Sequence, residues 1–174
     1  KSRSRGLGDV YKRQTKIINN NKKRINVFLP LIFLILVFIQ IAVGAFVSGM
    51  DAGKIYNSWP LMGNTYFPND NDFKDLFKLS AFSDPSLVQF MHRNLAYLIM
   101  FFYFFIFYKI YKNKIYDLYK SINILGIFII LQIILGIYTV IYGAQLYIAA
   151  MHQLSSIFLV SSCIYFFYIN TRFN

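Results

Sequence analysis

The chain has 174 residues, of which 57% are hydrophobic and 20% aromatic, and this composition is too apolar for a soluble domain of that length. It indicates an integral membrane protein. The net charge of +11 comes mostly from Lys and Arg before the first apolar run and between the second and third runs. That distribution is a signal of membrane topology and argues against nucleic-acid binding.

The N-terminal residues differ in composition from everything that follows. Residues 1–14 lack an initiator Met and any apolar periodicity, and they resemble translated vector sequence, so we interpret them as a non-native leader. Residues 15–26 are polar and basic and are predicted to form a linker on the cytoplasmic side. We therefore expect the chain to be a fragment of a longer protein.

Four apolar runs follow, and each is close to the ~20 residues that a helix needs to cross a bilayer. They predict an all-α fold, a transmembrane four-helix bundle over residues 27–170. The predicted helices are 27–48, 87–108, 122–142 and 146–169.

A long outer loop, residues 49–86, joins the first two predicted helices and carries five aspartates against three lysines. Because Lys and Arg crowd the other side, both chain ends are predicted to face the cytoplasm. Within the loop, Phe73, Leu76 and Phe77 recur at helical spacing, which predicts a short helix on the membrane surface. We interpret this loop as a lid over the outer face.

His92 and His152 are the only histidines of the chain, and each lies within a predicted spanning helix. An ionisable residue inside a membrane indicates a functional site. Both helices begin on the outer side, so each histidine is predicted to lie about two turns in from the same membrane face.

An internal repeat supports this pairing. Gln40 and Gly44 in the first helix have the same spacing as Gln132 and Gly136 in the third, and each pair is followed by a helix that contains Met-His. Two such helix pairs predict a pseudo-twofold axis along the membrane normal, which places the two histidine helices in equivalent positions.

Two neutral imidazoles that face each other across a bundle can fill both axial positions of a haem iron. A zinc site would need further ligands, and the chain offers no third histidine and a single cysteine, Cys163. Small residues near the histidines would leave room for a flat macrocycle; they are Gly44, Ala96, Gly136, Ala149 and Ser156.

Two polar residues next to His92 complete the predicted site. Arg93 lies near the outer face, where a guanidinium could pair with haem propionates. Gln89 stands one turn before His92, and it is predicted either to orient a ligand or propionate or to bond another helix.

Together, residues 40–53 (QIAVGAFVSGMDAG), 56–62 (YNSWPLM), 87–93 (LVQFMHR) and 152–153 (HQ) resemble the C-terminal half of haem A synthase, of the cysteine-poor type. The resemblance implies half of a pseudo-symmetric eight-helix oxidoreductase made of two four-helix bundles. That family oxidises the C8 methyl of haem O to the formyl group of haem A, for terminal oxidase assembly.

The resemblance also implies roles for individual residues. His92 and His152 would be the iron ligands of haem b, and Gln89 stands where the N-terminal half of the family has a glutamate. Catalytic residues and the substrate haem O would belong to the missing N-terminal bundle. The implied partners are that bundle, membrane lipid, haem O synthase, an electron donor and a second copy of the protein, in a bacterial inner membrane.

Two other functions stay open on the sequence. One is a self-contained four-helix membrane cytochrome b that carries electrons to or from quinone. Such carriers often hold two haems, which would need four ligands, whereas this chain has two histidines. The other is a haem-free structural or assembly subunit in which both histidines are packing residues.

Overall fold

The computed structural model describes residues 23–172, so the interpreted leader 1–14 and most of the linker 15–26 lie outside the described residues. Within residues 23–172 the structure has four long helices, α1 (Phe28–Gly49), α2 (Pro85–Lys112), α3 (Tyr116–Ile141) and α4 (Leu146–Thr171). All four are long and apolar enough to cross a membrane. The predicted all-α, membrane-spanning fold is therefore confirmed.

Helix α3 begins at Tyr116, well before the predicted start at residue 122. Its first turns are amphipathic, because Leu118 and Ser121 are buried while Asp117 and Lys120 are exposed. The apolar run reveals only the membrane-crossing part of such a helix.

Helix α2 begins at Pro85, two residues before its predicted start, and the residues at this end explain the position. The side chain of Asp84 accepts a hydrogen bond from the backbone N–H of Leu87 at 2.9 Å, and Pro85 occupies the first helical position. An aspartate cap followed by proline is a strong helix start, since it satisfies one free N–H and fixes φ.

The helices pack in a closed ring. The extensive contacts join α1 to α2, α2 to α3, α3 to α4 and α4 to α1. Helices α2 and α4, which carry the two histidines, are therefore diagonal to each other across the bundle. Ring packing of this kind is common in four-helix bundles that bind cofactors between facing helices.

The tightly packed apolar core occupies one half of the bundle, away from the loop that joins α1 to α2. We call the end that carries this loop the loop end and the other the opposite end. The core lies in the early turns of α1 and α3 and the late turns of α2 and α4; its helical members are Phe33, Val37, Ile99, Tyr103, Ile106, Ile110, Leu118, Ile122, Leu125, Ile129, Leu159, Cys163 and Phe166.

Burial in the loop-end half differs between the helices. Beyond Val37, Val43 is the single buried residue in the remaining described part of α1. In α3 the described burial stops at Ile129, and in α4 it starts at Ser155. In α2, by contrast, residues 86–90 and Arg93 are buried at the loop end. Helices α1, α3 and α4 are therefore less buried in the loop-end half, where both histidines lie, than at the opposite end.

The loop, residues 50–84, is folded onto the loop end. Its first short 3-10 helix, Ala52–Lys54, contacts α1, α2 and α3. The predicted surface helix is present as a 3-10 helix, Phe73–Phe77, followed by a second one at Leu79–Ser83. Phe77 and Leu79 are 78% and 90% exposed, which fits a segment that lies at the membrane surface.

A glycine in α3 provides a test of the core. A Cβ atom at Gly126 would overlap the hydroxyl of Tyr103, which donates to the carbonyl of Ile122 at 3.3 Å. Overpacking of this kind costs typically about 1–3 kcal/mol. We expect Gly126→Ala to lower the unfolding free energy by that amount, measured by denaturant unfolding in detergent micelles.

The control for this prediction is Gly49→Ala, at the end of α1, where a Cβ atom would meet no heavy atom of the described residues within 4 Å. This variant should unfold within about 0.5 kcal/mol of the unmodified chain. Equal stability of the two variants would show that α2 and α3 are not packed as described.

Candidate functional site

Each histidine ring packs against a glycine of the preceding helix. A Cβ atom at Gly44 would lie 2.9 Å from Cε1 of His92, and one at Gly136 would lie 3.2 Å from Cε1 of His152. Both distances are too short for an undisturbed side chain. The two glycines therefore form matching recesses, one in α1 and one in α3, into which the imidazoles fit.

Each histidine is also bonded by the glutamine that precedes this glycine by one helical turn. Nε2 of Gln40 donates to the carbonyl of His92 at 3.1 Å and lies 3.3 Å from its ring Nε2. Nε2 of Gln132 donates to the carbonyl of His152, also at 3.1 Å. Both glutamines belong to the sequence repeat, but the repeat alone did not indicate that they bond to the histidines.

The two imidazoles carry buried polar atoms that the described protein residues leave unsatisfied. Nδ1 of His92 and Nδ1 of His152 are both buried and lack a hydrogen-bond partner among residues 23–172. Buried polar groups in folded proteins nearly always have a partner, and each exception calls for an explanation such as an unseen ligand.

The residues present would suit a haem held between two imidazoles. The histidines are on diagonal helices, at similar depth and in the loop-end half of the bundle. Ala96, Ala149 and Ser156 are small and only partly buried. Among the described residues no group of three or more His, Cys, Asp or Glu side chains could hold a metal ion, so a protein-only zinc site is not formed there.

Gln89 and Arg93 hold the loop. Nη2 of Arg93 and Nε2 of Gln89 donate to the carbonyl of Tyr56, at 2.8 and 3.1 Å. Nη1 of Arg93 donates to the carbonyls of Ser58 (2.9 Å) and Leu61 (3.3 Å). Both side chains are buried. Of the two roles considered for Gln89, the structure shows a bond to the protein, although to the loop and not to another helix.

The predicted contact of Arg93 with a propionate stays a prediction. Nε of Arg93 is buried without a hydrogen-bond partner among the described residues, so its N–H is available to an acidic group. Both terminal nitrogens, Nη1 and Nη2, donate to loop carbonyls. No pattern in the sequence indicated this use, because the carbonyls come from a segment more than thirty residues away.

Further contacts fix the loop over the bundle. Nε1 of Trp59 donates to the hydroxyl of Tyr97 at 3.0 Å. Nδ2 of Asn57 donates to the carbonyl of Val140 in α3, also at 3.0 Å. The loop therefore bonds to two of the helices, α2 and α3, in the loop-end half. It is placed to restrict access of water from this end.

Asp70 joins the loop to the start of α2. Its Oδ2 accepts from Oγ of Ser86 at 2.6 Å, and its Oδ1 accepts from the hydroxyl of Tyr56 at 3.0 Å. Partial burial raises the pKa of Asp70, but the hydrogen bonds from Ser86 and Tyr56 outweigh it and hold the pKa below its ordinary value of 3.8.

A lowered pKa in the folded state means that the stabilisation by Asp70 is complete above about pH 4 and is lost as pH falls through the folded pKa. We expect the loop to loosen in this acid range, measured as a change in the fluorescence of Trp59, the single tryptophan. Asp70→Asn should flatten the acid transition. The exposed Asp51→Asn is the control, and an unchanged transition in Asp70→Asn would contradict the assignment.

Comparisons with known proteins agree on one family. A family model described as a cytochrome oxidase assembly protein matches residues 9–164. Proteins named haem A synthase are similar to the chain: 44% identical over 157 residues in Pelagibacter ubique, 38% over 146 residues in Rickettsia felis and 35% over 155 residues in Flavobacterium johnsoniae. No solved structure shows significant similarity.

The extent of these matches is uneven between the chain and its relatives. The three alignments cover 90%, 81% and 83% of this chain but only 46%, 43% and 45% of the respective relatives. The chain therefore spans less than half the length of the curated relatives that it matches.

Proposed function

Because the chain belongs to the haem A synthase family of cytochrome oxidase assembly proteins, we propose that its bundle binds one haem b between His92 and His152. In this proposal the bundle is the haem-b half of an enzyme that oxidises the C8 methyl of haem O to the formyl group of haem A. The other half, with the catalytic residues and the site for haem O, would be an N-terminal bundle.

One observation carries this proposal: the pair of imidazoles on diagonal helices in the loop-end half of the bundle. Their Nδ1 atoms are buried and unsatisfied among residues 23–172, and each ring lies in a glycine recess. The haem-free alternative would leave these atoms unexplained, since buried polar atoms without partners cost about 1–3 kcal/mol each.

The proposed chemistry follows from the number of ligands. A haem with two histidine ligands supplies one-electron transfer and has no open position for oxygen or substrate. The residues of this chain would bind and orient the group, and the loop held by Arg93 and Gln89 would keep water away from the loop end. Electron transfer in this half would be coupled to the oxidation of haem O in the other half.

Location and partners are part of the proposal. The described Lys and Arg side chains cluster at the opposite end, with Arg24, Lys109, Lys112 and Lys120 among them, which supports a cytoplasmic position for both chain ends in a bacterial inner membrane. The proposed partners are the N-terminal bundle, membrane lipid, an electron donor, haem O synthase and a second copy of the protein.

The first experiment is the reduced-minus-oxidised spectrum of the purified chain, expressed with haem supply. We expect a low-spin b-type spectrum and one haem per chain. Absence of any haem band would overturn the proposal and favour a structural subunit. Two haems per chain would favour an electron carrier of the quinone-linked type.

A second experiment tests the assignment to haem A synthesis. Residues 27–170 would replace the aligned segment of the Pelagibacter ubique relative, in a strain without its own haem A synthase. Extraction and chromatography of haem would then measure haem A. Formation of haem A supports the proposal, whereas a chimera that binds haem b but forms no haem A would contradict this function of the bundle.

A further inference from the structure

Gln40 contacts both the backbone and the ring of His92. Its Nε2 donates to the carbonyl of His92 at 3.1 Å. The same amide nitrogen lies 3.3 Å from the ring Nε2 of His92.

Gln40 and Gly44 together position His92. Gln40 bonds the backbone of His92 and contacts its ring, and Gly44 leaves the recess in which the ring lies. Groups that orient a metal ligand in this way affect how tightly the metal is bound.

The second histidine is held by the same carbonyl bond but without the ring contact. Nε2 of Gln132 donates to the carbonyl of His152 at 3.1 Å and to Oγ of Ser155 at 2.6 Å. The hydroxyl of Ser155 in turn donates to the carbonyl of His152 at 2.9 Å. The helix pairs α1–α2 and α3–α4 share two features: the bond from glutamine to the histidine backbone, and the glycine recess.

We propose that Gln40 and Gln132 are positioning residues, each of which fixes the height of a histidine helix against the glycine helix so that the two imidazoles face one site. The assignment rests on the proposed haem-b function. Gln40 has an additional role that Gln132 lacks, because it also orients the ring of His92. The two haem ligands are therefore not equivalent, although the sequence around them is repeated.

The test uses Gln40→Met and Gln132→Met, which keep the length of the side chain and remove both donors. Haem is titrated into each apoprotein in detergent, and the low-spin ferric signal is recorded by electron paramagnetic resonance. Loss of residues that orient a metal ligand typically weakens binding about 10–100-fold. We expect at least a tenfold rise in the haem dissociation constant for both variants, and a changed low-spin signal that is larger for Gln40→Met.

The matched control is Gln145→Met, because Gln145 is exposed and its side chain makes no cap hydrogen bond in the described structure. It should bind haem like the unmodified chain. Unfolding of each apoprotein shows whether a variant has lost its fold. If Gln40→Met does not fold, Gln40→Glu, which has the same shape but a carboxylate in place of the amide donor, takes its place.

The glycine recess gives an independent measurement on the same helix. Gly44→Ala would push a methyl group against the ring of His92, whereas Gly49→Ala meets no described atom within 4 Å. We expect Gly44→Ala to bind haem more weakly than the unmodified chain, and Gly49→Ala to bind it equally well.

The outcomes separate the two proposals. If the unmodified chain shows no low-spin haem, the proposed function itself fails. If the unmodified chain binds low-spin haem and both glutamine variants match it in affinity and signal, the function stands and the positioning role is wrong. Equal losses in Gln145→Met would also overturn the positioning role.

Discussion

Replacing His92 or His152 with alanine is expected to abolish the low-spin b-type spectrum completely. Each variant keeps one imidazole, so the iron would lose an axial ligand and become high-spin and five-coordinate or leave the protein. These are the only histidines in the chain, and no third imidazole is available as a substitute. The measurement is the reduced-minus-oxidised spectrum of each purified variant beside the unmodified chain.

The control is Cys163→Ala. Cys163 is free and buried in the core at the opposite end, and it is the one thiol that could bind iron. The low-spin spectrum should survive this substitution. A variant of either histidine that keeps the unmodified spectrum would rule out that residue as a ligand, and retention by both would remove the proposed site.

The sequence is sufficient to predict the fold because the bilayer restricts which secondary structures an apolar run can form. Long apolar runs in a membrane form helices, since each backbone polar group must be bonded within the segment. The prediction missed the first turns of α3, where burial and not hydropathy decides the boundary. Residues around Leu118 are helical because one face packs into the core, and that depends on neighbours that the sequence does not reveal.

The positions of the two histidines in the fold were predictable. The repeat of glutamine, glycine and Met-His places equivalent residues at equivalent depth, and the glycine recesses agree with the expectation that small residues surround the rings. The bond from Gln40 to the carbonyl of His92 was not predictable. It depends on how closely α1 and α2 cross, which spacing along one helix does not determine.

The contacts of Arg93 were also not predictable from its position along one helix. Its place on α2 indicated a position near the outer face, and a buried guanidinium there needs acceptors. The sequence suggested propionates, which stays a prediction, and gave no indication of the three loop carbonyls that accept from Arg93, those of Tyr56, Ser58 and Leu61. Arg93 thus links the helix of one histidine to the loop that covers the loop end.

Removal of this guanidinium is expected to release the loop. In Arg93→Met the three carbonyls lose their charged donor, and hydrogen bonds to charged groups contribute about 1.5–3 kcal/mol. We expect the opening free energy of the loop to fall by about 2 kcal/mol, which corresponds to a roughly 30-fold faster cleavage by chymotrypsin when opening is rapid. Trp59, which bonds Tyr97 in the closed loop, should change its fluorescence in parallel.

Two variants determine whether this effect belongs to the bonds of Arg93. Lys74→Met removes an exposed loop cation whose ion pair with Asp72 lies at the surface, and such pairs contribute little, so its cleavage rate should match that of the unmodified chain. Arg93→Lys keeps the charge but not the planar fork that reaches several carbonyls at once. The cleavage rate of Arg93→Lys should lie between those of Arg93→Met and Lys74→Met. If Arg93→Met is cleaved no faster than Lys74→Met, the loop is held by its other contacts.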